Sequence, residues 1–250
     1  MDKIKLDKIS TRAPKDLEKD KTKEKTTAIL KSLNELQNLL YAESKHAILV
    51  ILQGMDASGK DGVIRNVFGS FNPQGVVVRS FKVPTEEEMK HDFLWRIHAA
   101  TPQKGMIQIF NRSQYEDILV TRVHKWCDDE TAKKRMKAIN DFEQFLTEHN
   151  NTTILKFYLH VSEEEQRSRL DERISDPTKQ WKFNERDFEE AKLRKEYIKM
   201  YEDCFEHCNV IPWTIVPVDQ NWYKEYLIAS TLLESMQSLK MQYPSIKKAD

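Results

Sequence analysis

Five short apolar runs rich in β-branched residues, alternating with stretches of helical character, constrain this chain more than any other feature. The runs are Ala47 to Leu52, Val76 to Phe81, Met106 to Phe110, Thr153 to Leu159 and Trp213 to Val218. The helical stretches lie around Gly59 to Phe68, Glu86 to His98, Tyr115 to Asn150, Ser162 to Ile174 and Trp222 to Met241. Strands that are apolar throughout are buried on both faces, so the pattern predicts an α/β fold with a five-stranded parallel sheet flanked by helices. Ligands of such sheets bind beyond the carboxyl ends of the strands.

The stretch ahead of the first run divides in two. Its first ~15 residues are polar, closed by Pro14, and are expected to form a loosely held arm. Asp16 to about Glu43 then reads as an amphipathic helix, with Ile29, Leu33, Leu36 and Leu40 on one face, packing on the body or on another subunit. The expected organisation is arm and helix over 1–44, one main domain over 45–243 and a tail over 244–250.

Charge and cysteine content narrow the function classes. Basic and acidic residues number 40 each, so the overall charge gives no reason to expect a nucleic-acid or membrane-surface protein. No apolar run approaches the ~18 residues of a membrane span, and the first residues lack a secretory core, so a cytoplasmic location is expected. Cys127, Cys204 and Cys208 make no disulfide framework. Cys204, His207 and Cys208 are spaced like metal ligands, but they lie on a helical stretch without a fourth ligand and are read as packing. Residues 163–207 are dense in bases, including Arg167, Arg169, Arg173, Lys179, Lys182, Arg186, Lys192, Arg194 and Lys195. The plain reading of most of these is a pair of solvated helices.

The motif that carries chemistry is GMDASGKDG, Gly54 to Gly62, which follows the strand AILVIL and leads into the helical VIRNVF. Its Gly-x4-Gly-Lys spacing is that of a phosphate-binding P-loop. Gly54, Ala57, Ser58, Gly59 and Gly62 belong to a backbone that curls its amides around phosphate oxygens, the helix start adds positive potential, and Lys60 adds a full charge. Asp61, however, stands where a Ser or Thr hydroxyl would meet magnesium.

A second constellation, MIQIFNRSQYED, follows the third run, with Asn111 and Arg112 ahead of Glu116 and Asp117. A carboxylate at such a strand end holds magnesium in P-loop proteins; the alternative is a helix first turn that favours acids. Magnesium takes one or two carboxylates plus waters and substrate phosphates. Asp56 together with Asp117 is therefore the expected metal pair, and Asp61 is expected to face the following helix or solvent. An acid inside a phosphate loop makes sense when a cation lies between it and the phosphate.

GMDASGKDG, SFNPQGVVVRSFKVPT, IFNRSQYEDILVTRVH, LHVSEEEQRSRLDERISDPTKQWKF and VPVDQNWYKEY occur in an order that resembles the polyphosphate kinase 2 family from about Lys45 to Met236. The family loop, Gly-x-Asp-x-x-Gly-Lys-x-Gly, accommodates both Asp56 and the residue at position 61. The resemblance implies a P-loop kinase fold with a helical lid, here basic and around 165–195, and magnesium-dependent, reversible transfer of the terminal phosphoryl group of inorganic polyphosphate to a nucleotide. Manganese is an expected substitute for the magnesium. By motif, Asp56 and Asp117 correspond to metal-associated acids and Lys60 to the loop lysine. Arg112, Lys82 and Arg122 fall within matching motifs, and the lid bases Arg169, Arg173, Lys179 and Lys182 correspond to phosphate-chain contacts.

VTRVH, INDFE and DPTKQWKF look most like the group accepting both AMP and ADP, with guanine nucleotides as further acceptors and a homodimer or homotetramer as the expected assembly. Trp181, Phe183, Trp213 and Trp222 either stack on a base or pack in the body. Two other readings stay open on the residues: an ATP-dependent nucleotide or nucleoside kinase of the same fold, and a nucleotide-dependent interaction module without turnover.

Overall fold

The computed structural model describes residues 3–245. Of the expected tail over 244–250, residues 246–250 lie outside the described part. The five expected strands are present as β1 (Ala47–Gln53), β2 (Val76–Ser80), β3 (Ile107–Asn111), β4 (Thr152–His160) and β5 (Trp213–Pro217). They form one parallel sheet in the order β2-β3-β1-β4-β5. The helices are α1 (Lys19–Glu43), α2 (Lys60–Val67), α3 (Trp95–His98), α4 (Val120–Val123), α5 (Asp129–Asn150), α6 (Glu163–Ser175), α7 (Glu185–Lys192), α8 (Arg194–His207) and α9 (Asn221–Ser238).

Strand β1 lies at the centre and is buried along its whole length because both of its faces are covered. Ile48, Val50 and Leu52 meet Leu33 and Leu40 of α1, Val63 and Val67 of α2, and Ile228 and Leu232 of α9. Leu49 and Ile51 point the other way, toward Ile97 of α3, Met136 and Ile139 of α5, and Tyr201 and Phe205 of α8. The apolar stripe of α1 thus packs on this same body, chiefly on α9. Cys204 and Cys208 pack in the second core, while His207 bonds the Asp203 carbonyl of its own helix.

Two expected helices are interrupted. Over Glu86 to His98 only a 3-10 turn at Glu88–Lys90 and the single turn of α3 form. Thr85 and Glu88 cap each other as a helix start, but the Asp92 carboxylate then takes the amide of Leu94 at 2.9 Å and resets the chain. Over Tyr115 to Asn150 the chain makes a 3-10 turn (Gln114–Asp117), α4 and α5, with a break at Lys125, which has φ 59°. Asp128 restarts it by capping Thr131 at 2.7 Å.

The arm corrects an expectation. It is strapped across the carboxyl ends of β4 and β5 rather than loosely held: Leu6 is 1% exposed in the second core. The Leu6 amide donates to Glu202 at 2.9 Å, Thr11 Oγ1 donates to Asp219 at 2.7 Å, and His160 Nε2 lies 3.1 Å from the Leu6 carbonyl. Polar composition concealed the apolar anchor of Leu6, beside which Ile4 packs partly buried. Among the described residues no helix is long and apolar enough to cross a membrane.

Candidate active site

The loop after β1 is shaped by backbone that most residues avoid. Gly54 (φ 153°) lies so close to β4 that a Cβ there would stand 2.9 Å from the Leu159 carbonyl. Gly59 (φ 94°) opens α2, and Ala57 adopts φ 61° without being glycine. Lys60 curls back over this loop, donating from Nζ to the carbonyls of Gly54 at 2.8 Å and Met55 at 3.1 Å. Burial, reinforced by the nearby Arg112 charge, lowers its pKa to about 8. A phosphate in the cradle would reverse that shift by supplying the missing opposite charge.

Arg112, at the end of β3 with φ 64°, joins the two sequence constellations. It donates to Asp56 at 2.6 Å and to Glu116 at 3.3 Å, and these acids, Glu116 foremost, hold it protonated. Asp56, Arg112 and Glu116 line a narrow cleft with Gly54, Glu190 and Tyr197. Asp117 sits on the same turn as Glu116. Its Oδ2 is buried without a hydrogen-bond partner, because Arg96 at 3.7 Å is within ion-pair reach but too far to donate. Burial raises the pKa of Asp117 against the pull of Arg96 and Arg135. A desolvated carboxylate oxygen without a hydrogen bond, on the turn whose Glu116 bonds Arg112, fits a divalent cation, and the small number of protein ligands suits magnesium. Among the described residues no three His, Cys, Asp or Glu side chains converge as an all-protein metal cage.

The remaining predicted residues separate into those at the loop and those elsewhere. Asp61 is not simply directed at its helix or at solvent. Its side chain is 60% exposed, yet it accepts from Lys182, between α6 and α7, at 2.7 Å and from Asn111 at 3.1 Å. Arg169 spends its donors on the carbonyls of Ala57 and Ser58 (both 3.2 Å), Val218 (2.6 Å) and the Glu165 carboxylate (2.8 Å). It ties α6 to the loop and to the end of β5. Ser58 is fully buried beneath the loop, and Gly62 lies in the first turn of α2. Arg173 pairs with Asp187, and Lys179 with Glu172 at 2.5 Å, both within the stretch 165–195. Arg122 ties α4 to Asp129 of α5 and Asp203 of α8, and Lys82 is exposed. Trp213 packs in the core, whereas Trp181 is exposed on the 3-10 turn Gln180–Lys182.

Three residues at the loop were given no site role by sequence, Arg194 having been named only among the bases of 163–207. Gln166 donates to the Asp56 carbonyl at 3.1 Å and accepts from Arg194 at 2.7 Å, and Arg194 also donates to the Val161 carbonyl at 2.6 Å. Lys224 is the third: it is buried, its Nζ donates to Asn221 at 2.8 Å, and a Cβ on Gly59 would meet that Nζ at 2.8 Å. Burial, with Arg169 close by, lowers its pKa to about 8. A signal was available, since Lys224 continues the buried stripe of Ile228, Leu232 and Met236 at helical spacing. A charge on an apolar face asks for a reason.

A glycine-turned loop between β1 and α2, with Lys60, Arg112, Arg169 and Lys224 grouped around it at the carboxyl end of a parallel sheet, defines the site of a P-loop phosphotransferase. Comparison with known proteins then supplies the family. The model of polyphosphate kinase 2 matches residues 16–244, and the chain belongs to the polyphosphate kinase 2 family. It is 48% identical over 219 residues to the AMP/ADP-polyphosphate phosphotransferase of Meiothermus ruber, covering 87% of this chain and 82% of that one. It is 43% identical over 231 residues to the ADP-polyphosphate phosphotransferase of Rhodopseudomonas palustris, covering 87% and 80%. The crystal structure of polyphosphate kinase 2 from Arthrobacter aurescens TC1 superposes with a TM-score of 0.94 at 38% identity, over 99% of this chain and 90% of that one.

Proposed function

We propose that this chain transfers the terminal phosphoryl group of inorganic polyphosphate reversibly to AMP and ADP, with guanine nucleotides as further acceptors. The observation that carries the reading is an acid, Asp56, built into a phosphate cradle and joined through Arg112 to the acid-bearing turn at Glu116 and Asp117. A cradle for a single free anion has no use for these carboxylates, whereas two polyanions brought together through a divalent cation do. The names of the Meiothermus and Rhodopseudomonas relatives support polyphosphate as donor.

In this reading the loop amides and Lys60 hold the donor's terminal phosphate. The acceptor oxygen of a nucleotide phosphate is already ionised and attacks phosphorus, the bridging P–O bond breaks, and the shortened chain leaves with the negative charge. No general base is required. The protein's part is to position the reactants and offset their charge, and Arg112 at the cleft is placed for both. Asp56 and Asp117 would hold magnesium, or manganese in its place, which offsets charge on the phosphate oxygens when bound. The lid, fastened through Lys182 to Asp61, shields the donor from water. A cytoplasmic homodimer or homotetramer completes the proposal; light scattering that gives the 29.6 kDa of one chain would refute the assembly.

The direct test is to supply magnesium, long-chain polyphosphate and either AMP or ADP, and to follow all nucleotides by chromatography beside Lys60→Ala. Conversion of ADP to ATP and of AMP through ADP to ATP, lost in the variant, is the expected result. An enzyme that ignores polyphosphate and uses ATP as donor would instead be a nucleotide kinase, and binding without turnover would mark an interaction module.

A further inference from the structure

Beneath the acid-bearing turn lies a charged cluster that the chemistry above does not use. Lys156, in the middle of β4, and Glu143 of α5 are both completely buried and paired at 2.8 Å. The lysine's three donors are all taken: by Glu143 Oε2, by the Tyr115 hydroxyl at 2.8 Å and by the Cys208 carbonyl at 2.9 Å. Glu143 Oε1 accepts from the Tyr115 hydroxyl at 2.6 Å and from Gln114 Nε2 at 3.0 Å. Apolar groups surround the cluster, with the Trp213 ring centroid 5.1 Å from the lysine nitrogen.

A buried ion pair is a poor way to stabilise a core, because desolvation consumes most of the attraction and apolar residues of similar volume serve as well or better. What it does provide is direction. Gln114 and Tyr115 begin the 3-10 turn that ends at Asp117, and Glu143 holds both of them. The same helix grips the other end of the turn, since Arg135 donates to the Asp117 carbonyl at 2.7 Å. Ser113, just ahead of the turn, is fixed by Gln53 of β1 at 3.0 Å. The turn is thereby referenced to the phosphate-loop strand on one side and to α5 on the other.

We propose that the Glu143–Lys156 pair is a positioning device that, through Gln114 and Tyr115, holds the Asp117 carboxylate in place for a divalent cation. It rests on the reading of Asp117 as a metal-associated acid. Glu143 and Lys156 touch no reactant and act through the turn alone.

The test uses the full chain with Glu143→Leu and Lys156→Met combined, so that no charge is left unpaired, and separately Tyr115→Phe, which removes one hydroxyl and keeps the ring. Mn2+ is titrated in the presence of ADP and followed by electron paramagnetic resonance, with Asp117→Asn as control and thermal melting alongside. Loss of an outer partner of a metal ligand typically weakens binding by about 10-fold or more. The expected result for the double variant is that loss with a melting temperature close to the parent's, and for Tyr115→Phe a smaller weakening in the same direction. A folded double variant with parental Mn2+ affinity overturns the positioning role while leaving the functional reading intact. Parental affinity in Asp117→Asn, or no Mn2+ binding by the parent, overturns the assignment of Asp117 and this proposal with it. Should the double variant fail to fold, Tyr115→Phe decides by the same readout, parental affinity counting against.

Discussion

Asp56 and Asp61 lie in one loop motif, yet their surroundings assign them different duties. Asp56 faces the cleft and is bonded to Arg112, whereas Asp61 is mostly exposed and bonds the lid. An exposed ion pair contributes at most about 1 kcal/mol, so Asp61→Ser is expected to lower kcat/KM by no more than about 5-fold. Asp56→Asn removes a charge proposed to bind the metal and is expected to cost about 100-fold or more. Steady-state kinetics with polyphosphate and ADP checks both, and equal losses would refute the division. The loop itself was legible because its glycines, lysine and preceding strand are contiguous. The partner of Asp61 was not, because Lys182 stands 121 residues away and only folding brings it over.

Among the elements, the arm makes the sharpest prediction. Leu6 fills a place in the second core, so Leu6→Ala is expected to destabilise the chain by about 2 to 4 kcal/mol, read as a lower urea midpoint at unchanged slope. An unchanged midpoint would restore the loosely held arm that composition suggests. The central strands were readable because burial on both faces makes β1 a continuous apolar run, whereas the edge strand β2, four of whose five residues are exposed, was legible from its β-branched residues and not from burial. Helix limits were less so at Asp92 and Asp128, where a side chain competes for a backbone amide and the periodic pattern gives no sign of which will win.

For the whole molecule, two buried lysines beside one loop shape the dependence of stability on pH. In the folded chain Lys60 and Lys224 hold their protons only below about 8, whereas unfolding returns each to the ordinary 10.5. Between pH 8 and 10 these lysines make the unfolded chain bind more protons and so raise stability with pH, opposed above about pH 9 by buried Cys204, whose thiol keeps its proton while that of the unfolded chain ionises. Above pH 10 the trend reverses, because burial keeps the Tyr115, Tyr158 and Tyr201 hydroxyls protonated while those of the unfolded chain ionise. Lys224→Met is expected to be more stable than the parent at pH 7 by on the order of 1 to 3 kcal/mol and to lose about half of the rise between pH 8 and 10. Urea titrations at pH 7, 8, 9 and 10 measure this, and a parental slope in the variant would show that Lys224 is not titrating there.

By itself the sequence determined the strand–helix alternation, the phosphate loop and the acids following β3, because each depends on residues adjacent in the chain or at a fixed period. Tertiary structure alone decided which charges meet. Arg169 was tied to the loop carbonyls of Ala57 and Ser58, Arg122 was spent on α5 and α8, and Lys224 was set beside Gly59. Charge pairing depends on distance in space, and a parallel sheet in the order β2-β3-β1-β4-β5 brings remote segments to one edge in an arrangement that no local period encodes.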